Sequence, residues 1–252
     1  MEIVYQDDRV LICEKPVGVR STDEPGGLPE LIRAELGDPT ANLRTVHRLD
    51  QVVGGLILLA RTARAASDLS AQIREGRFEK EYLVLCHRKL PEWGEMSDLL
   101  FRDSARRVTC VASQPGPETR PARLRFETIA HIGEHSLALV RLITGRTHQI
   151  RAQFSARHFP LVGDRKYGAP EETGGIGLWS CRISFLHPRT GVRMTASRPP
   201  RPTGVWQEAA EWLGRIPTQI PDPALGRSSE RALPEPEQQK NRKDSSYAEQ
   251  SD

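Results

Sequence analysis

No run of apolar residues in this chain of 252 residues approaches the roughly 18 needed to cross a bilayer. No charged-then-apolar leader precedes the first strand, so the expected setting is the cytoplasm. Cysteine is scarce. Cys13, Cys86, Cys110 and Cys181 lie far apart, with no CxxC or Cys/His spacing of a zinc site, and reduced core thiols are expected. The chain lacks an H-E-x-x-H, an H-x-E with paired cysteines, a GxxxxGK[ST] loop and a strand-linked GxGxxG. The glycines of "PGGLPE" and "TGGIGLW" have neither the spacing nor the flanks of phosphate loops. These absences argue against a metal centre, nucleotide hydrolysis and dinucleotide chemistry. There is no internal repeat.

Apolar residues make up only 37%, low for a compact globule, and the end of the chain explains much of this. Residues 214–252 hold five prolines, no Phe or Trp and a single Tyr247, too little apolar surface to offset the entropy of ordering. The expected organisation is one domain over 1–213 and a mostly disordered tail over 214–252, with at most its first residues packed down. The tail carries six basic and seven acidic residues; subtracted from totals of 36 and 33, this leaves 30 and 26, a net of +4. So mild an excess does not indicate nucleic acid, but its distribution is uneven. Between Arg141 and Lys166 six Lys/Arg face a single acid, Asp164, the most basic functional-looking window of the body; a solvated helix face is the plain alternative for such a run.

Along the chain, "EIVYQDDRVLICEKPVG" reads as two strands around a polar turn at Gln6–Arg9. "GGLPELIRAELGD" reads as a helix closed by Gly37. "GGLILLART" is continuously apolar and predicts a strand buried on both faces. Thr62 caps the next expected helix, "ARAASDLSAQIREG", and "FEKEYLVLCHR" follows as a strand. Residues 90–120 read as an irregular excursion with one hairpin at "RRVTCVAS". "RPARLRFETIAHIG" and "HSLALVRLITG" alternate as an antiparallel pair. "RTHQIRAQFSARH" is helical, "LWSCRISFLHPRTGVRMTASRPP" is a closing hairpin, and "VWQEAAEWLGR" is a last short helix. Strands outnumber helices and mostly succeed one another, which defines an α+β class with a largely antiparallel mixed sheet and flanking helices.

Three constellations stand out. "TVHRLDQVVGGLIL" sets Thr45, His47, Arg48 and Asp50 at one junction, just before the apolar strand. A buried unpaired carboxylate is costly, so Asp50 caps a turn, pairs with a cation or does chemistry. In "LITGRTHQIRAQF", Gly145 ends a strand and Thr147 is expected to cap the helix, placing His148 and Arg151 on one side of its first turns. The donors there form an anion site, and Arg151 is a candidate partner for Asp50; an Arg packing its stem on the core is the alternative. In "EKEYLVLC", Tyr82 opens an apolar strand after three charged residues, either as a core tyrosine or as a ring that stacks on a ligand.

The order of these motifs resembles the RluA-type RNA pseudouridine synthase family. "VLICEKPVG", "VHRLD" with its glycine-and-aliphatic strand, "EKEYLVL", "TGRTHQIRAQF", "PLVGDRKYG" and "ISFLHPRTG" occur in family order from about Glu2 to Pro200. The resemblance implies the pseudouridine synthase catalytic fold and an enzyme that isomerises specific uridines in ribosomal or transfer RNA, without metal, nucleotide or organic cofactor. It implies Asp50 as the essential aspartate, Tyr82 as the active-site tyrosine and Arg151 as the arginine pairing the aspartate. Arg48, Arg146, Thr147, His148, Arg165 and Lys166 are the implied RNA-binding residues, with Arg48 near the displaced RNA backbone. Whether the carboxylate adds to C1′ or removes the C2′ proton stays open. The implied partner is RNA; no membrane partner is expected, and the expected state is a monomer.

The sequence also departs from the family. After the aspartate the family usually has a charged pair and then Thr-Ser-Gly; here "QVVGG" removes two hydroxyls. A catalytically weakened RNA-binding or chaperone protein on the same fold is therefore the alternative, and a hydrolase using Asp50 a more remote one. The sequence opens almost at the KPxG strand, so the catalytic domain itself is expected to grip RNA.

Overall fold

The structure, a computed structural model, describes residues 1–170 and 175–219. Among the described residues, eleven strands form one sheet: β1 Glu2–Gln6, β2 Val10–Lys15, β3 Arg44–Thr45, β4 Gly54–Ala60, β5 Glu79–His87, β6 Trp93–Asp103, β7 Val108–Ala112, β8 Arg120–Ile132, β9 His135–Leu142, β10 Leu178–Leu186 and β11 Arg193–Ser197. The helices are α1 Leu28–Leu36, α2 Ala63–Arg74, α3 Gln149–Ala156 and α4 Ala210–Leu213, with short 3-10 turns at Arg165–Tyr167 and Gly204–Ala209. The sheet runs β1-β2-β4-β10-β5-β9-β8-β6-β7, with β11 paired to β10 and β3 to β4. Every pairing is antiparallel except β4 with β10. This is the mixed, largely antiparallel α+β architecture that the succession of strands predicts.

The centre of the sheet is covered on both faces. Residues alternate in and out along a strand, so Leu11, Cys13, Ile57 and Leu59 pack with Leu28 and Ile32 of α1 and Ile150 and Phe154 of α3. Their neighbours Val10, Ile12, Leu56 and Leu58 meet Ala65 and Leu69 of α2 on the other face. All seven residues of β4 are buried, as a continuous apolar run requires. Thr62 caps α2 as expected, its side chain accepting from the Ala65 N–H at 3.1 Å. The second face is completed by Trp206, Ala209 and Leu213 against Leu83, Leu85 and Trp179.

Two expectations need correction. Residues 90–120 are not mainly irregular: β6 is an eleven-residue strand paired with both β7 and β8. Its outer face is solvated and its polar residues fall on both sides, so the two-residue alternation that signals a strand is blurred. Thr147 does not cap α3. His148 occupies the cap position with φ 54°, without a side-chain hydrogen bond to the helix backbone, while the Thr147 carbonyl accepts from the Thr109 hydroxyl at 2.8 Å. At the chain's end, residues 214–219 return to the sheet: Gln219 and Ser197 exchange backbone hydrogen bonds at 2.9 Å. The remainder of the tail expected over 214–252 lies outside the described residues.

Candidate active site

The segment before β4 is pinned from several sides. His47 is buried, and its Nε2 accepts from the Leu58 N–H at 3.0 Å. The Ser21 hydroxyl both donates to the Leu49 carbonyl (2.9 Å) and accepts from the Leu49 N–H (3.1 Å). Gln51 and Gly18 exchange hydrogen bonds at 2.8 and 2.9 Å. Beneath the turn lies Lys15, fully buried, whose Nζ donates to the carbonyls of Pro16, Val19 and, at 3.4 Å, Gln51. Burial lowers its pKa to about 8, against the raising influence of Asp50. The result is a rigid turn with one partly exposed carboxylate at its apex, Asp50, whose side chain is 23% exposed.

α3 supplies the cation. Arg151 donates through Nε and Nη2 to both oxygens of Asp164 (2.7 and 2.8 Å), and through Nη1 to Asp50 Oδ2 at 3.1 Å. The Asp164 pair is buried and bidentate, which fixes the plane of the guanidinium. Its remaining edge is thereby aimed at Asp50. Burial works against the Arg151 charge, but hydrogen bonds and charges of Asp164 and Asp50 raise its pKa on balance. The guanidinium also lies 4.8 Å from the centroid of the Tyr167 ring. His148, one helical turn before Arg151, places Nε2 3.7 Å from Asp50 Oδ2.

β5 forms the opposite wall. Tyr82 is buried at 6% exposure, and its phenol pKa is pushed up, first by burial and then by the Asp50 charge. Two residues earlier, on the same face of the strand, stands Lys80. Burial lowers its pKa, its ammonium lies 6.0 Å from the Phe78 ring centroid, and no carboxylate pairs with it among the described residues. Glu81, its sequence neighbour, turns to the other face and binds Arg141 at 2.6 Å. Asp50, Tyr82, Lys80, His148 and Arg151 all line one cleft of about 970 Å³, a volume suited to a nucleotide-sized ligand.

The other expected residues divide. Arg48, Arg146 and Thr147 line the same cleft and are exposed. Arg165 and Lys166 are exposed on the 3-10 turn after Asp164, outside the cleft lining, although the Lys166 charge is felt at His148. Three of the six cations in the basic window are already paired with carboxylates: Arg151 with Asp164 and Asp50, Arg157 with Asp98 (2.8 Å) and Arg141 with Glu81. Sequence reasoning missed three contributors. Asp164 entered only as the lone acid of that window, although "PLVGDRKYG" contains it; Lys15 sits in "EKPVG" and Lys80 in "EKEYLVLC" without any assigned task.

Chemically, the cleft offers an oriented carboxylate for a carbon centre or a proton, a flat aromatic wall, and cations at its margin for phosphates. Among the described residues no group of three His, Cys, Asp or Glu is placed to hold a metal ion, and no helix is long and apolar enough to cross a membrane.

A mixed eleven-stranded sheet with an Asp–Arg–Asp bridge and a tyrosine in one cleft defines a class, and comparison with known proteins identifies it. Residues 9–156 match the RNA pseudouridylate synthase family, and the chain belongs to that family. It is 31% identical over 208 residues to the dual-specificity RNA pseudouridine synthase RluA of Escherichia coli (strain K12), covering 78% of this chain and 92% of that protein. It is 30% identical over 208 residues to the ribosomal large subunit pseudouridine synthase C of Vibrio vulnificus, of which it spans 65%. Among solved structures, human RNA pseudouridylate synthase domain containing 1 superposes with a TM-score of 0.68 at 24% identity, over 87% of this chain and 89% of that one, a likeness of fold.

Proposed function

We propose that the protein converts uridine to pseudouridine within structured ribosomal or transfer RNA, with Asp50 as the reactive carboxylate. The observation that carries this reading is the 3.1 Å contact between Arg151 and Asp50 in the cleft that Tyr82 also lines. In the reaction the N1–C1′ bond breaks, the uracil turns, C5 bonds to C1′, and the C5 proton is lost while N1 gains one. No atom is added or removed overall and no electron leaves, so the isomerisation calls for no oxidant, reductant or co-substrate. Asp50 engages the ribose, at C1′ or at the C2′ proton. Arg151, locked by Asp164, orients Asp50 and pairs its charge. Tyr82 stacks on the uracil and keeps it from leaving after the glycosidic bond opens. The target base must be extruded from its loop or helix, at a cost of roughly a few kcal/mol, which phosphate contacts from Arg48, Arg146 and their neighbours offset.

The test is Asp50→Asn, assayed on total RNA for newly formed pseudouridine alongside RNA binding. Removal of the reactive group is expected to lower turnover by at least about 100-fold while the melting temperature and RNA affinity stay near those of the wild type. Turnover by Asp50→Ala at the wild-type rate would overturn the assignment. Wild-type protein that binds RNA yet forms no pseudouridine would instead support the weakened binding protein anticipated from "QVVGG".

A further inference from the structure

Tyr167 lies outside the cleft lining, yet its hydroxyl reaches a ring that lies inside it. The phenol oxygen accepts from the Thr109 N–H at 2.8 Å and lies 2.7 Å from His148 Nδ1. The rings meet edge to face, with centroids 5.6 Å apart. Tyr167 is buried. The Thr109 side chain is also within hydrogen-bond reach of the phenol, but the 2.7 Å contact makes Nδ1 a close acceptor for the phenol proton. What selects the tautomer is Asp50: with the proton on Nδ1 alone, the Nε2 lone pair would face the Asp50 carboxylate, 3.7 Å away, setting two acceptors face to face. The favoured proton arrangement is therefore Tyr167 O–H to Nδ1, and Nε2–H toward Asp50.

We propose that His148 is a second positioning residue for Asp50, a neutral imidazole whose Nε2–H is aimed at the carboxylate while Tyr167 donates to its Nδ1. Arg151 and His148 then hold Asp50 from two directions, one as a charge and one as a neutral donor. The 3.7 Å separation shortens to a hydrogen bond when substrate closes the cleft, as such contacts commonly do. The groups around the ring are consistent with a neutral state. Burial lowers the His148 pKa to about 4; Asp50 alone raises it, while Arg151, Arg102 and Lys166 lower it further. The backbone adds an independent mark. His148 sits at φ 54°, a left-handed conformation that a side-chain-bearing residue rarely adopts, and this twist is what delivers the ring to Asp50 while α3 starts at the next residue. Tyr167 braces both partners, since its ring also lies under the Arg151 guanidinium. The expected RNA-binding role of His148 gives way, in this proposal, to one that acts through the carboxylate.

The proposal rests on Asp50 being the reactive group, and its tests separate the two. The first needs no catalysis: nitrogen NMR of ¹⁵N-histidine-labelled full-length protein at neutral pH, with His148→Gln identifying the signal. A neutral ring protonated at Nε2 is expected, shifting toward a tautomer mixture in Tyr167→Phe; an Nδ1-protonated or doubly protonated ring in the wild type would overturn the proposal even if the enzyme is fully active. The second is kinetic. His148→Leu is expected to lower kcat about 10- to 100-fold with little change in KM, and His148→Gln, whose amide N–H occupies the Nε2 position, to recover much of that loss. A rise in KM alone, or no advantage of Gln over Leu, would overturn it.

Discussion

At the residue scale, the cleft is organised by which charges are already satisfied. Asp164 occupies two of the Arg151 donors and leaves a third for Asp50, so the guanidinium cannot swing away to a phosphate. Lys80 is the converse, a cation in the cleft wall with no carboxylate partner among the described residues, which leaves it available to an anionic ligand. Lys80→Met is therefore expected to weaken RNA binding several-fold and to reduce the slope of log affinity against log salt by about 1; an unchanged slope in salt titrations would remove Lys80 from the phosphate contacts. Asp50, Tyr82 and Arg151 were legible because each sits in a recognisable motif. Asp164 was not, because the choice of its partner is made by the turn after α3 bringing residues 151 and 164 together in space. Lys80, flanked by Glu79 and Glu81, reads in sequence as part of a solvated charge cluster; only the alternation of β5 separates it from them and sets it on the face of Tyr82.

At the element scale, the pairing of β4 with β10 explains why two glycines follow the Asp50 turn. A side chain at Gly54 would overlap the Trp179 ring, and one at Gly55, which has φ 115°, would overlap the Ser180 backbone. Ser180 then donates to the Leu56 carbonyl at 2.8 Å, so the close approach is sealed by a buried hydrogen bond. Gly55→Ala is expected to lower stability by roughly 2–4 kcal/mol, from overpacking and a disfavoured φ together, measurable as a reduced urea midpoint with a similar m value. Stability equal to wild type would show that the two strands can part without loss. Of the departures in "QVVGG", Gly54 thus has a packing reason, the Trp179 ring, while Gly55 falls on the glycine of the family pattern. The elements of the central sheet were readable from apolar runs and turn residues. β6 was not, because its polar residues fall on both faces, Glu95 and Ser97 on one and Asp98 and Arg102 on the other, which erases the alternation; its pairing with β7 and β8 is what fixes it.

At the scale of the whole molecule, burial of titratable rings sets the response to acid. His47 accepts from Leu58 with one nitrogen, while its Nδ1 has no partner among the described residues. Burial, with Lys80 nearby, lowers its pKa from 6.5 to about 3. Between those values the unfolded chain binds a proton that the native state refuses. The stability that depends on a neutral His47 is therefore complete above about pH 6.5 and is lost as pH falls toward 3, by up to roughly 1.4 kcal/mol per pH unit. His148 adds to this in the same sense above pH 4. Thermal melts from pH 7 to pH 4 should show this decline, and His47→Gln, which keeps an acceptor for the Leu58 N–H, should flatten it; parallel curves for the two proteins would place the acid sensitivity elsewhere.

The position of β10 has a consequence for how the molecule comes into being. It is encoded after every catalytic candidate, yet it is inserted between the strand that follows Asp50 and the strand that carries Tyr82. During synthesis the halves of the cleft therefore emerge early but cannot be joined until residues 178–186 leave the ribosome and thread into the gap. The cleft of a nascent chain is in this way left unassembled until nearly the whole domain has been translated.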